Sequence, residues 1–123
     1  MIVNTGELAW IAETEFADLV ADVFIPEKNQ LRVSLYEGSF VDVWYSLDLA
    51  GRYAYHGERK AIDGTIFRHD NAPHARWKRI PTYPAHFHNG NEENVTESWI
   101  SPDPQTGLRQ MLSFVREKMR EES

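Results

Sequence analysis

Residues 31–45, LRVSLYEGSFVDVWY, decide the fold that this sequence predicts. In the first part of the segment every second side chain is apolar, which is the period of a strand with one buried face. Glu37-Gly38 then forms a tight turn, and the alternation resumes at 40–45. Two strands joined by so short a turn pair in the antiparallel sense. The segment therefore predicts a β-hairpin.

Further strand patterns lie on both sides of this hairpin. β-Branched residues accumulate over 16–25, an Asp63-Gly64 turn separates runs at 52–56 and 65–68, and a short strand is predicted at 95–100. Strands that follow one another through short turns form a meander. We therefore expect one antiparallel sheet of about five to six strands.

Helices are predicted at both ends of the sheet. Residues 6–18 predict a short N-terminal helix, and from Pro104 to Met119 apolar side chains recur at helical spacing. Residues 70–94 are rich in proline and histidine and have no periodicity, so we expect a long ordered loop there. Residues 1–123 are thus expected to form a single α+β domain with the C-terminal helix packed on one sheet face.

The composition is that of an ordinary folded domain. The chain has 123 residues, 41% hydrophobic and 26% charged, which disfavours disorder and fibrous structures. It has no cysteine, so disulfides, thiol nucleophiles and cysteine-ligated zinc are excluded. No stretch approaches the roughly 20 apolar residues of a membrane helix, and residues 1–13 lack the basic start of a signal peptide. We therefore expect a cytoplasmic protein that does not associate with membranes.

Charge is unevenly distributed along the chain. The net charge is −6 overall, with −7 in residues 1–50, +4 in residues 51–90 and −3 in residues 91–123. The acidic total disfavours a general nucleic-acid-binding protein. The basic middle segment still permits a local anion-binding face, because electrostatic fields act over about 8–10 Å.

All five histidines lie in that middle segment, within 33 residues. Residues two apart in an extended segment point to the same side. This spacing pairs residues on a common face, namely Tyr53 with Tyr55, Arg68 with Asp70, and His86 with His88. We therefore expect a site where the middle strands of the sheet meet the loop.

Cleavage of RNA through its 2′-hydroxyl group uses most of this cluster and needs no metal or other cofactor. His86 or His74 would act as the general base and another histidine as the general acid. Arg68 would bind the scissile phosphate, Asp70 would orient a histidine tautomer, and Tyr55 would contact the phosphate or stack on a base. The candidate catalytic residues are His56, His74, His86, His88, Tyr55 and Asp70, and the candidate substrate-binding residues are Arg68, Tyr53 and Asn71.

Other interpretations stay open at this point. His86 and His88 could bind a divalent metal, with His74 or Asp70 as third ligand. The chain could instead be a non-catalytic module whose acidic N-terminal half binds a partner protein. The two tyrosines could be ordinary sheet aromatics, and Asn71 a turn residue.

Oligomeric state is also open. Sheet aromatics such as Trp44 and Tyr45 could support a homodimer, or could be core on one face and ordinary surface on the other.

Five segments of the sequence resemble the TumE family. The resemblance covers roughly residues 16–119 and is strongest over 38–95. The segments are 38–43 (GSFVDV), 52–56 (RYAYH), 66–74 (IFRHDNAPH), 84–88 (PAHFH) and 93–95 (ENV).

The resemblance implies a small antiparallel α+β toxin of the bacterial and archaeal type II toxin–antitoxin pairs. It implies a helix-turn-helix antitoxin as partner and a nuclease activity on RNA. The family's motif positions fall on Tyr53, Tyr55, His56, Arg68, Asp70, Asn71, Pro73, His74, His86 and His88.

The chain departs from the family pattern at four positions. Gly57 and His69 stand where aromatic residues are usual, and Ala75 and Ala85 stand where further histidines are common. These differences concentrate the expected catalytic roles on the four histidines named above.

Overall fold

The computed structural model describes residues 3–121. Within this range seven antiparallel strands form one sheet, in the same order as they occur in the chain. The strands are β1 (Val20–Phe24), β2 (Gln30–Leu35), β3 (Phe40–Tyr45), β4 (Tyr53–Arg59), β5 (Thr65–Asp70), β6 (His86–Gly90) and β7 (Val95–Glu97). The helices are α1 (Thr5–Glu15) and α2 (Pro104–Glu121), and a 3₁₀ turn spans Ala75–Trp77.

Alternation along the strands gives the sheet two different faces. In β2, β3 and β4 every second residue is buried, and these residues form one core with the apolar side chains of both helices. The intervening residues point to the other face, which we call the open face. Because both helices pack on the core face, polar side chains on the open face are free to form a site.

The two helices are held together as well as against the sheet. Glu15 of α1 accepts two hydrogen bonds from Arg109 of α2, both at 2.8 Å, and Asp18 accepts a 2.6 Å bond from Arg116. These pairs are exposed, so each contributes little to stability. The apolar side chains beneath them contribute most of the packing energy.

Close packing of α2 on the sheet depends on Gly107. A Cβ atom built at this position would lie 2.6 Å from the Tyr55 hydroxyl and 3.0 Å from the Ser101 carbonyl oxygen. The absence of a side chain therefore lets the first turn of α2 rest on the tyrosine.

Among the described residues the sheet has seven strands, whereas about five to six were predicted. The expected loop 70–94 contains β6, so the ordered loop is shorter and runs from 71 to 85. His-Phe-His-Asn-Gly carries no β-branched residue and follows two prolines, so propensity gave no strand signal; pairing with β5 supplies the order instead. The strand predicted at 95–100 forms only over Val95–Glu97.

The remaining predictions of the fold hold. The meander, the single antiparallel sheet, the two terminal helices and the packing of α2 on one face are confirmed. Tyr45 belongs to the core and Trp44 points to the open face. Residues 1, 2, 122 and 123 of the predicted domain lie outside the described residues.

Candidate active site

A row of polar side chains crosses the open face from β2 to β6. Each residue is the direct register partner of the next, which gives the order Arg32, Asp42, His56, Arg68 and His88. Neighbouring strands are about 4.8 Å apart, so His56 and His88 flank Arg68 with their backbones roughly 10 Å from each other. We call these three residues the His–Arg–His row.

Asp70 fixes the guanidinium group of Arg68. Its Oδ2 atom accepts a 3.0 Å hydrogen bond from Arg68 Nε, and its Oδ1 atom accepts a 3.0 Å bond from the backbone N–H of Ala72. Burial raises the pKa of Asp70, but the Arg68 bond and the charge of His86 outweigh it and leave the pKa below its ordinary value. Asp70 is therefore a carboxylate at neutral pH and keeps Arg68 in place.

His86 and His88 both direct Nδ1 at a backbone carbonyl. Nδ1 of His86 lies 2.9 Å from the Pro84 oxygen, and Nδ1 of His88 lies 2.9 Å from the Glu92 oxygen. A carbonyl only accepts, so Nδ1 carries the proton in both rings and Nε2 is left for chemistry. Both side chains are buried, but His88 lines the cavity beneath the loop whereas His86 does not.

His56 approaches the row from the other side of Arg68. Its Nε2 atom lies 3.1 Å from Glu58 Oε1, and its Nδ1 atom is buried and has no hydrogen-bond partner in the part of the chain that the structure describes. Burial raises the pKa of Glu58, but the hydrogen bonds from His56 and from the Lys60 backbone N–H have the larger effect. The pKa of Glu58 is therefore below its ordinary value. Glu58 is thus a carboxylate that orients the imidazole of His56.

The loop covers one end of the row with aromatic and basic side chains. The Trp77 ring lies 6.0 Å from His86 and 5.9 Å from His88, between ring centroids. Arg76 places its guanidinium 4.7 Å above the Trp77 ring, and His74 lies exposed with its ring 6.2 Å from that of His86. The loop thus brings His74 to the margin of the cluster.

A groove on the open face continues from the row toward β1. Its volume is about 930 Å³, and its walls include Phe24, Trp44 and Arg32 as well as His56 and Arg68. A second, smaller cavity beneath the loop also includes Arg68. The guanidinium of Arg68 therefore lies where the two cavities meet.

Four of the predicted residues line neither of these two cavities: His86, which is buried beside Asp70, and Tyr53, Tyr55 and Asn71. Tyr53 and Tyr55 are buried on the core face, where the Tyr55 hydroxyl is hydrogen-bonded to that of Tyr45. Burial raises the pKa of Tyr45 to about 12 and raises that of Tyr55 further still, so neither hydroxyl loses a proton at neutral pH. Asn71 clamps two strand ends, accepting a 2.8 Å bond from the backbone N–H of Tyr53 and donating to the Gly51 carbonyl at 2.7 Å.

His69 takes the place of the expected aromatic residue in the core. Its ring stacks on Phe87 at 4.1 Å with an interplanar angle of 10°, and its Nδ1 atom lies 2.7 Å from the Ser98 hydroxyl. Met111 fills the space at Gly57, since a Cβ atom there would lie 3.2 Å from the methionine Cε. Both departures from the family pattern are therefore accommodated by core packing.

Trp44, Trp77 and Glu58 line or orient the site but were not singled out as functional from the sequence. Register supplies the missing signal for two of them. Trp44 shares a face with Asp42, and Glu58 shares one with His56, once the strands are assigned. No such signal exists for Trp77, which reaches the site from an irregular loop.

The fold and the site together define a class of protein: a small α+β domain with its helices on one sheet face and a histidine–arginine groove on the other. The family model described as Toxin TumE matches residues 10–119, so the chain belongs to the TumE toxin family, as the motifs predicted. Its role is that of a toxin, and membership implies an antitoxin as partner. No curated protein and no solved structure matches the chain. Among residues 3–121, no helix combines the length and the apolar character needed to cross a membrane.

Proposed function

We propose that this toxin cleaves RNA at the His–Arg–His row, by general acid–base chemistry without a metal. The observation that carries the proposal is the register: His56, Arg68 and His88 occupy directly paired positions on three neighbouring strands of the open face. Two imidazoles on either side of a fixed guanidinium match the needs of an in-line displacement at phosphorus.

The chemistry follows from these positions. One imidazole removes the proton of the 2′-hydroxyl, and the resulting oxygen attacks the adjacent phosphorus. The other imidazole donates its proton to the 5′-oxygen as the P–O bond breaks, which leaves a 2′,3′-cyclic phosphate and a free 5′-hydroxyl. Arg68 stabilises the charge that develops on the non-bridging phosphate oxygens, because a guanidinium binds such oxygens in a bidentate manner.

Buried groups beneath the row support the reactive ones. The sequence suggested His86 or His74 as the general base; because His86 is fully buried beside Asp70, we assign it a positioning role instead. The carboxylates of Glu58 and Asp70 fix His56 and Arg68 respectively. Such preorganised partners lower the reorganisation needed in the transition state.

Single-stranded RNA suits the groove better than a duplex. Trp44 and Trp77 lie at opposite ends of the row, where exposed bases can stack on aromatic rings. Arg76 adds positive charge on one side of Arg68, whereas the charge of Arg32 on the other side is offset by Asp42, which accepts two 2.7 Å hydrogen bonds from it. A strand laid across the sheet would place one phosphate at Arg68 and neighbouring bases on the tryptophans.

The test is cleavage of single-stranded RNA by purified variants, together with growth arrest on expression. We expect His56→Ala and His88→Ala each to lower the cleavage rate by about 10²- to 10⁴-fold, because each removes one proton transfer. The cleavage rate of Arg68→Lys should lie between that of the wild type and those of the alanine variants, since lysine keeps the charge but loses the bidentate contact.

A matched control comes from the core histidine. His69→Phe removes a histidine outside the groove and restores an aromatic ring to the stack, so it should cleave at the wild-type rate. Circular dichroism would establish that all variants are folded. If folded His56→Ala and His88→Ala cleave RNA as fast as His69→Phe does, the row is not the active site. That result would favour the interpretation of the chain as a non-catalytic binding module.

We propose in addition that the antitoxin partner is a helix-turn-helix protein and that both act in the cytoplasm, where RNA is accessible. This proposal rests on the resemblance of the motifs to the TumE family. Co-expression of His88→Ala with the product of the adjacent gene, followed by co-purification, tests the partner assignment. The inactive variant is used because it can be expressed at high level without arresting growth. Failure of the two proteins to co-purify would contradict the partner assignment.

A further inference from the structure

Three donor groups lie close together beside Arg68. The proposed cleavage uses some of these residues but does not require all three donor atoms to be so close to one another. Asp70, His86 and His88 each offer one nitrogen or oxygen atom, and these atoms all lie within 4.8 Å of one another. Donors around a tetrahedral zinc ion are separated by about 3.3 Å, given bonds of about 2.0–2.1 Å. Small side-chain rotations are therefore enough to close the cluster around an ion.

His86 carries an unpartnered atom in this cluster. Nε2 lies 3.3 Å from Asp70 Oδ1 yet makes no hydrogen bond to it or to any other described residue, although the side chain is fully buried. In the neutral form of the ring, with the proton on Nδ1, the Nε2 lone pair faces a carboxylate oxygen. A cation between the two atoms would convert this repulsion into two bonds.

The surroundings of both imidazoles resemble those of metal ligands. In each ring Nδ1 is held by a backbone carbonyl at 2.9 Å, which fixes the tautomer that leaves Nε2 as the donor. Two imidazoles and one carboxylate suit zinc better than magnesium, which prefers oxygen ligands.

Charges close to the cluster act in both directions. Glu92 lies 3.8 Å from Nδ1 of His88 and favours a cation, as does Glu93 at the same cavity. Arg68 and Arg76 line that cavity as well and disfavour one. The balance favours an ion that is bound reversibly rather than held permanently.

We propose that Asp70, His86 and His88 bind one Zn²⁺ ion, and that the ion inhibits the toxin. The second part rests on the proposed function. A bound ion occupies the Nε2 lone pair of His88, which proton transfer needs, and draws Asp70 away from Arg68. The site would thus act as a regulatory switch on the cleavage reaction.

Calorimetric titration of tag-free wild-type protein with ZnCl₂ tests the site without RNA. We expect the wild type to bind one ion per chain. The zinc affinity of His88→Ala and of Asp70→Asn should be weaker by about tenfold or more. His56→Ala is the matched control: it alters the row but not the cluster, so it should bind zinc as the wild type does. Because Asp70→Asn also loses the bond to Arg68, His88→Ala decides the case if the former fails to fold.

Cleavage assays then test inhibition. Added ZnCl₂ should slow wild-type cleavage, and a chelator should restore it. Zinc binding that is absent, or unchanged in folded His88→Ala, overturns the site and leaves the proposed function untouched. Zinc that binds and accelerates cleavage overturns both the inhibition and the metal-free mechanism. Metal-free protein that never cleaves RNA refutes the proposed function, while the titration still decides the site.

Discussion

At the scale of single residues, histidines on neighbouring strands have very different surroundings. His69 of β5 lies on the core face of the sheet, whereas His88 of β6 lies on the open face and lines the cavity beneath the loop. Alternation alone separates a core residue from a proposed catalytic one. Counting histidines in the sequence therefore overestimates the number available for catalysis.

Burial of His69 makes stability depend on pH. Desolvation, with a smaller contribution from the charge of His86, lowers the pKa of His69 from 6.5 to about 3. The unfolded chain takes up this proton below about pH 6.5, whereas the folded protein does not until about pH 3. Acid therefore favours the unfolded state, by up to roughly 1.4 kcal/mol per pH unit within that window.

His69→Phe should remove this dependence. We expect the free energy of unfolding of the variant to exceed that of the wild type by a margin that grows as the pH falls from 6.5 toward 3. Urea titrations at several pH values measure it, and the comparison cancels acid effects common to both proteins, such as protonation of Asp70. Parallel curves for the two proteins would show that His69 is not the group responsible.

At the scale of elements, α2 and the sheet approach each other closely at Gly107. Alanine normally stabilises a helix relative to glycine by up to about 1 kcal/mol. Here its Cβ would overlap the Tyr55 hydroxyl, which is itself buried and bonded to Tyr45. We therefore expect Gly107→Ala to lower the free energy of unfolding by about 1–3 kcal/mol, measured by thermal or urea denaturation.

Gly6→Ala in α1 serves as the comparison. A Cβ there meets only Asn4 Oδ1 at 3.5 Å, an ordinary contact, so this variant should be neutral or slightly stabilising. Equal stabilisation by both substitutions would show that α2 does not rest so closely on the sheet.

The sequence predicted most of the elements but not all of their roles. Alternation over β2, β3 and β4 was strong enough to give the meander and the shared faces, and the helices at both ends followed from separate helical patterns. β6 escaped because its order comes from hydrogen bonds to β5, and local propensity carries no information about a distant partner. The same limit explains the tyrosines: period two shows that Tyr53 and Tyr55 share a face, but not that the helices cover it.

At the scale of the whole molecule, an acidic protein carries arginine side chains on its open face. The net charge of −6 repels RNA in general, while Arg68 and Arg76 offer local attraction; the charge of Arg32 is offset by its ion pair with Asp42. Binding should therefore depend on salt through only a few phosphate contacts.

This expectation can be measured by fluorescence anisotropy with labelled single-stranded RNA and the non-cleaving His56→Ala variant. For single strands, the logarithm of the affinity falls by about 0.7 per contacted phosphate for each decade of salt. Adding Arg68→Ala should reduce that slope by about 0.7. Arg109→Ala, which removes a cation paired with Glu15 on the helix side, should leave the slope unchanged, and an equal effect of both would argue against binding in the groove.

The sequential pairing of the strands also bears on how the toxin acquires its structure. Each strand pairs with the strand that precedes it in the chain, so the hairpins can form one after another from local contacts. The helices are the opposite case: α1 and α2 come from the two extremes of the described chain and must dock on each other and on the same apolar surface. The sheet with its groove can therefore form before the core is complete. Docking of α2 would then cover the apolar face that the sheet exposes until that point.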